Sequence, residues 1–296
     1  MARMPTACRL LLSSVALLGF VAASCGSDST GVATATTART VAPTTTASVD
    51  TTAAADTTGA PTTEAAGVPV ASGEITVFAA SSLTEAFTNM GDAFKRANPE
   101  ATVVFNFAGS ADLVTQISQG APADVFVSAD DTNMRKLTDA KENAGEPISI
   151  ARNTMEMIVE KGNPQNIASV ADLARSGLVV VLCAETVPCG KNAAKVLTNT
   201  GVTVTPASLE DRVKGVVTKI TTGEADAGIV FVTDVKAAGA SVAGVMIPAD
   251  VNVISNYPMV VTKQAPNATA GQAFIDFVAS AAGQAILAQY GFLRAK

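Results

Sequence analysis

The 296 residues contain no histidine and no tryptophan. Without histidine there is no Ser-His-Asp or Cys-His nucleophile and no imidazole-ligated metal. A serine–lysine pair or a carboxylate mechanism is what composition leaves open to an enzyme. Positive charge is also scarce. The 20 Lys and Arg are outnumbered by 26 Asp and Glu, for a net charge of −6, and no Lys/Arg-rich run occurs. That balance argues against a broad nucleic-acid surface. The N-terminal apolar run, Leu10–Ala23, is 14 residues long, short of the ~20 that cross a bilayer.

What is present at the N-terminus reads as an export signal over residues 1–25. Arg3 and Arg9 precede the apolar run, and small residues lead to Cys25 in "VAASCGSDST". This resembles a bacterial lipoprotein signal, in which the cysteine is acylated and anchors the mature chain to the membrane. Ordinary cleavage at the A-x-A-like stretch is the alternative, and either route exports the protein. Residues 26–72 are low-complexity Thr, Ala, Ser and Pro; 14 of the 47 are Thr and none is aromatic. Such a segment buries too little apolar surface to offset its ordering entropy, and it reads as a flexible tether. Of four cysteines, Cys183 and Cys189 remain in the mature chain. In an oxidising compartment, two thiols six positions apart suggest a local disulfide; two buried free thiols are the plainer possibility.

From Gly73 onward, strand and helix patterns alternate at short spacing, which predicts a mostly parallel α/β sheet covered by helices. "EITVFAA" reads as a strand, and Leu83, Ala86, Phe87, Met90 and Phe94 follow at helical spacing. "ASLEDRVKGVVTKITTG" reads as one helix, with Ser208 and Asp211 at capping-box positions. Ala268–Tyr290 reads as another, with Phe274, Phe277, Val278, Ala281 and Ala285 in one stripe. Periodicity alone does not choose between one large sheet and two smaller lobes.

Three strand-to-helix turns carry small or hydroxyl residues. They are "AASSL" with Ser81 and Ser82, "FAGSADL" with Gly109 and Ser110, and "VPCGKNA" with Cys189 and Gly190. In open α/β sheets ligands bind beyond the carboxyl ends of strands, where unpaired helix-start N–H groups favour an anion. A serine at such a turn more often simply caps its helix. No Walker or G-x-G-x-x-G motif is present to suggest a nucleotide.

The segments "ITVFAASSLTEAF", "FNFAGSADLVTQISQGAPADVFVSAD", "VPCGKNA", "GIVFVTDV" and "QAILAQYGF" together resemble the periplasmic molybdate-binding proteins of ABC transporters, from about Glu74 to Arg294. The resemblance implies a type II periplasmic binding protein fold: two α/β lobes with a two-crossing hinge and a ligand cleft between them. Lobe 1 would be discontinuous, residues 73–151 and 257–296, and lobe 2 residues 152–256. The family's oxyanion ligands map onto the hydroxyls of Ser82 and Ser110 and the amides of Cys189 and Val213. The fifth, a tyrosine in a "GIVY" segment, falls on Phe231, which cannot donate; Thr233 or a water would have to stand in. Ser81 has no assigned contact.

By the same resemblance the chain is no enzyme. It needs no cofactor and no cation site, takes molybdate or tungstate as ligand, works as a monomer, and delivers to the permease and ATPase subunits of an importer. These oxyanions are fully deprotonated at neutral pH and only accept hydrogen bonds, so a donor set free of carboxylates suits them. Sulfate carries the same charge and donor demand, which makes a sulfate receptor the alternative. A more distant one is an exported hydrolase using Ser82 or Ser110 with Lys191 or Lys195; it lacks a G-x-S-x-G elbow. A purely structural surface protein is the third.

Overall fold

The computed structural model describes residues 71–296. The signal, Cys25 and nearly all of the tether lie outside the described residues. The strands are β1 (Gly73–Ala80), β2 (Ala101–Ala108), β3 (Val125–Val127), β4 (Asn143–Glu160), β5 (Val180–Cys183), β6 (Ser208–Glu210), β7 (Ala227–Phe231), β8 (Val242–Met246) and β9 (Ile254–Thr262). The helices are α1 (Thr84–Ala97), α2 (Ser110–Ser118), α3 (Asp131–Asp139), α4 (Pro188–Thr200), α5 (Val213–Thr221), α6 (Val232–Ala238), α7 (Ala268–Ala279) and α8 (Ala281–Gln289).

The strands run in the order β2-β1-β3-β9-β4-β7-β5-β6, with β8 also paired to β4. The sheet is mixed rather than mostly parallel. β1 pairs in parallel with β2 and β3, and β5 with β6 and β7, but every pairing of β4 and β9 is antiparallel. The helix-crossover rule behind the sequence expectation holds at the two ends and fails in the middle, where two long strands run directly side by side. β4 carries the join. Its residues 143–154 pair with β9, and its residues 155–160 with β7 and β8. "IARN" and "SNYP" meet at the changeover, with Ala151 opposite Tyr257, Arg152 opposite Asn256 and Asn153 opposite Ser255.

The apolar spacing of α1 does what it predicts. Leu83, Ala86, Phe87, Met90 and Phe94 are all buried, and Phe87 and Phe94 meet Phe274 of α7 edge-on at 6.1 and 5.3 Å. Each such ring contributes roughly 1.5–3 kcal/mol by leaving water. The aspartates of "GAPADVFVSAD" are structural. Asp124 accepts the amides of Thr76 and Asn267, tying α7 to β1. Asp130 caps α3 by accepting from the Asn133 amide at 2.8 Å. The N-terminal edge begins a little before Gly73, since Ala71 is buried and its amide donates to Asn98.

Two helix boundaries differ from the sequence reading. Ser208–Glu210 is the strand β6, paired with β5, and the following helix starts only at Val213 with Arg212 as its N-cap. Ser208 and Asp211 therefore form no capping box; the chance to extend the sheet outweighs local capping preference. The C-terminal helix is broken at Ser280, which takes an extended ψ of 166° and caps α8 by accepting from Gly283. The break turns the apolar stripe: Phe274 and Val278 are buried, whereas Ala281 and Ala285 are exposed and Leu287 takes the inward position.

Candidate functional site

Helix N-termini converge on one small, tight cavity that opens to the surface. It is lined by Ala80, Ser81, Ser82, Ala108, Gly109, Ser110, Ala129, Val187, Pro188, Cys189, Arg212, Val213 and Phe231. All five positions assigned from the sequence are among them. Ser82 comes from the 3-10 turn Ser81–Leu83 between β1 and α1, and Ser110 opens α2. Cys189 lies in the first turn of α4, Val213 opens α5, and Phe231 ends β7.

Side-chain caps are found on three of the eight described α-helices, and α1 and α6, which follow the turn of Ser81–Leu83 and Phe231, are among those without one. α3, α7 and α8 each have a side chain, of Asp130, Asn267 or Ser280, accepting from a first-turn amide. α2, α4 and α5 have none, because their N-caps are Gly109, Val187 and Arg212. Uncapped first turns leave N–H groups without intrahelical partners, and here all three open on the cavity. Among the described residues, no side-chain carboxylate lines it. The elements present donors and partial positive charge to whatever occupies the space.

Both serine hydroxyls are buried and held. Ser110 Oγ accepts the Ala129 amide at 3.1 Å. Ser82 Oγ lies 2.8 Å from the hydroxyl of Tyr257. A disulfide joins Cys183 to Cys189 with Cα atoms 5.8 Å apart, across the turn that presents the Cys189 amide. Gly190 is needed in that turn, since a Cβ there would overlap the Ala184 carbonyl. The Phe231 ring lies against the cavity and meets the Tyr257 ring edge-on at 5.9 Å. It offers no hydrogen bond. Thr233 is not part of the lining; its hydroxyl accepts from Asn153 Nδ2 at 2.8 Å. Lys191 donates to Thr132 and Lys195 is exposed, and neither lines the cavity with the serines.

Sequence reasoning missed three features. Arg212, the N-cap of α5, is part of the lining though it was not assigned; its guanidinium is half exposed and lies 3.6 Å from the Asp211 carboxylate. Tyr257 and Asn153 back the Ser82 hydroxyl from β9 and β4; "SNYP" and "IARN" gave their positions in the chain but no sign of what they face. A partly buried ion network forms around Lys214 in the first turn of α5. Lys214 donates to both carboxylate oxygens of Glu85, at 2.9 and 2.8 Å, and its ammonium lies 3.3 Å from Asp234, which is fully buried. Burial pushes the Asp234 carboxyl up from its ordinary 3.8 to about 6, against the pull of Lys214. Burial also opposes the Lys214 charge, but Asp234 and Glu85 outweigh it and raise that pKa. The spacing of Glu85, Lys214 and Asp234 carries no motif, so no sequence signal could have joined them.

Residues 75–293 match the family described as bacterial extracellular solute-binding proteins. The molybdate-binding protein ModA of Mycobacterium tuberculosis is 43% identical over 220 residues, covering 74% of this chain and 84% of that protein. Among solved structures, the Azotobacter vinelandii periplasmic molybdate-binding protein superposes with a TM-score of 0.67 at 20% identity, covering 75% of this chain and 100% of that one. The sulfate-binding protein SubI of Mycobacterium tuberculosis gives 0.66 at 20% identity, covering 75% and 87%. At that identity the two structures speak for the fold: a periplasmic binding protein architecture built from the same sheet and helices. Sequence match, fold and the converging helix starts agree that the chain belongs to the family of bacterial extracellular solute-binding proteins, alongside the ModA proteins.

Proposed function

We propose that the chain is an extracytoplasmic receptor that captures molybdate, and tungstate with it, for an ABC importer, and that it is not an enzyme. The observation that carries this reading is the cavity's one-sided chemistry. Two buried hydroxyls and the free amides of three uncapped helices line it, and among the described residues no side-chain carboxylate does. A fully deprotonated tetrahedral dianion accepts hydrogen bonds at every oxygen, and pre-aimed dipoles hold it without having to reorganise. The ModA relatives support molybdate as that dianion.

In this reading residues 73–151 with 257–296 form one lobe and 152–256 the other. Ser82 and Ser110 come from the first, the amides of Cys189 and Val213 from the second. The anion draws the lobes together because only the closed arrangement brings both donor sets to it. β4 and β9, which cross between the two strand groups, are the elements that bend. A monomer lipid-anchored through Cys25 then presents the closed form to the permease and its ATPase.

Calorimetric titration of the protein with molybdate, tungstate, sulfate and phosphate tests the proposal. Molybdate and tungstate are expected to bind at one site per chain, with sulfate at least about tenfold weaker. Sulfate binding as tight as molybdate sinks the molybdate assignment in favour of a sulfate receptor, a reading supported by the missing donor at Phe231 and the shared fold of SubI.

A further inference from the structure

Ser110 and Ser82 differ in what holds them. The Ala129 amide behind Ser110 can only donate, so the single Ser110 hydrogen stays free for the cavity. The partner of Ser82 is itself a hydroxyl, and either oxygen of the 2.8 Å pair could be the donor. If Ser82 donated to Tyr257, its only hydrogen would turn away from the cavity and a lone pair would face the anion.

The partners of the Tyr257 hydroxyl decide the direction, beginning with Asn153. Its Oδ1 accepts the Thr154 amide at 3.0 Å, which fixes which end of the side-chain amide is nitrogen. Nδ2 gives one hydrogen to Thr233 Oγ1 at 2.8 Å and points the other at the Tyr257 hydroxyl, 3.4 Å away. Nδ2 cannot accept, and Ser82 Oγ is the one acceptor that the described residues place within hydrogen-bond reach of the phenol, so the phenolic proton goes to Ser82 while the phenol oxygen accepts from Asn153. Tyr257 is fully buried, paired on β9 opposite Ala151, and wedged edge-on between the rings of Phe231 and Phe292 at 5.9 and 5.3 Å. Burial raises its pKa further and keeps the proton in place.

We propose that Tyr257 is a positioning residue for anion capture: held by Asn153, it donates to Ser82 Oγ and so commits the Ser82 hydrogen to the bound oxyanion. Tyr257 does not itself line the cavity and acts only through Ser82. The relay Asn153–Tyr257–Ser82 does for the first serine what one backbone amide does for Ser110. It selects ligands that present acceptors only, which deepens the oxyanion-receptor reading and rests on it.

A double-mutant cycle tests the relay in the intact protein, with Tyr257→Phe, Ser82→Ala and the double variant titrated with the four anions named above. Tyr257→Phe keeps the ring packing and is expected to weaken molybdate binding about 5–20-fold. In the Ser82→Ala background the same substitution is expected to cost less than about twofold, a coupling that a merely structural tyrosine would not give. An unchanged affinity in Tyr257→Phe, or a full loss repeated in the Ser82→Ala background, overturns the proposal. The chain has two tyrosines, so 3-fluorotyrosine incorporated in a Tyr290→Phe background labels position 257 alone and carries the test if Tyr257→Phe fails to fold. The more acidic phenol is expected to tighten binding about twofold; unchanged or weaker binding counts against the relay. Wild-type protein that prefers sulfate removes the molybdate reading but leaves the cycle valid with sulfate. Wild-type protein that binds none of the anions removes both.

Discussion

Gly109 lies against the backbone of Asp211: a methyl group on its Cα would overlap the Asp211 carbonyl oxygen. Its φ of −63° suits any residue, so glycine is required here by space and not by conformation. The turn before α2 and the turn before α5 touch at this point. Gly109→Ala should push them apart while leaving each intact. Overpacking costs about 1–3 kcal/mol, which corresponds to roughly 5–150-fold in affinity if it falls wholly on the closed, liganded form. Calorimetry with molybdate checks this, and an unaltered Kd would mean the two turns do not close on the ligand.

Phe231 is the one cavity position whose side chain is large, buried and without a polar atom. Phe231→Tyr should place a new hydroxyl toward the space shared with Ser82 and Val213. A binding gain of about 0.5–1.5 kcal/mol is expected, read as a two- to tenfold lower Kd. Weaker binding would show that the cavity has no room for the added oxygen.

Asp234 and Lys214 predict a pH signature. The folded-state pKa of Asp234 is raised, to about 6 from 3.8. The stability it favours is present below pH ~4 and lost as pH rises through ~6, amounting to roughly 3 kcal/mol for about two units. Denaturant unfolding of the wild type relative to Asp234→Asn should reveal that loss between pH 4 and 7. Lys214→Met leaves the buried carboxylate without its cation. Its cost should be about 3–5 kcal/mol at pH 8 and should shrink near pH 5, where Asp234 takes up a proton. Equal costs at both pH values would contradict a charged Asp234.

The Cys183–Cys189 bridge closes a short loop, with a sequence separation of 6. A loop of this size supplies roughly 2 kcal/mol by restricting the unfolded chain. Reduction, or Cys183→Ser with Cys189→Ser, should lower stability by about that amount and weaken anion binding as the Cys189 amide loses its brace. Lost stability with unchanged affinity would assign the positioning of that amide to the packing of Gly190 against Ala184 alone.

Much of this was legible in the chain. The α1 stripe, the turn serines, Cys189 and Val213 follow from local pattern and family likeness, because strand ends and helix starts are written in short windows of sequence. What escaped depended on distant pairings. Ser208–Glu210 became a strand because β5 lay open beside it. Tyr257 stands 175 residues from the serine it holds, and Glu85 stands 129 from Lys214. Ser280 broke a helix that periodicity alone would have continued.

The missing caps of α2, α4 and α5 have a thermodynamic consequence. A helix without a capping side chain forgoes about 1 kcal/mol, and here three do so around one space. In the proposed function, an anion seated there would serve as a common N-cap for all three. The deficit in the empty protein and the affinity for the ligand are then two views of one quantity: occupancy raises the unfolding midpoint with ligand concentration, as mass action requires. Filling any of these ends with its own serine or aspartate would trade reception for rigidity.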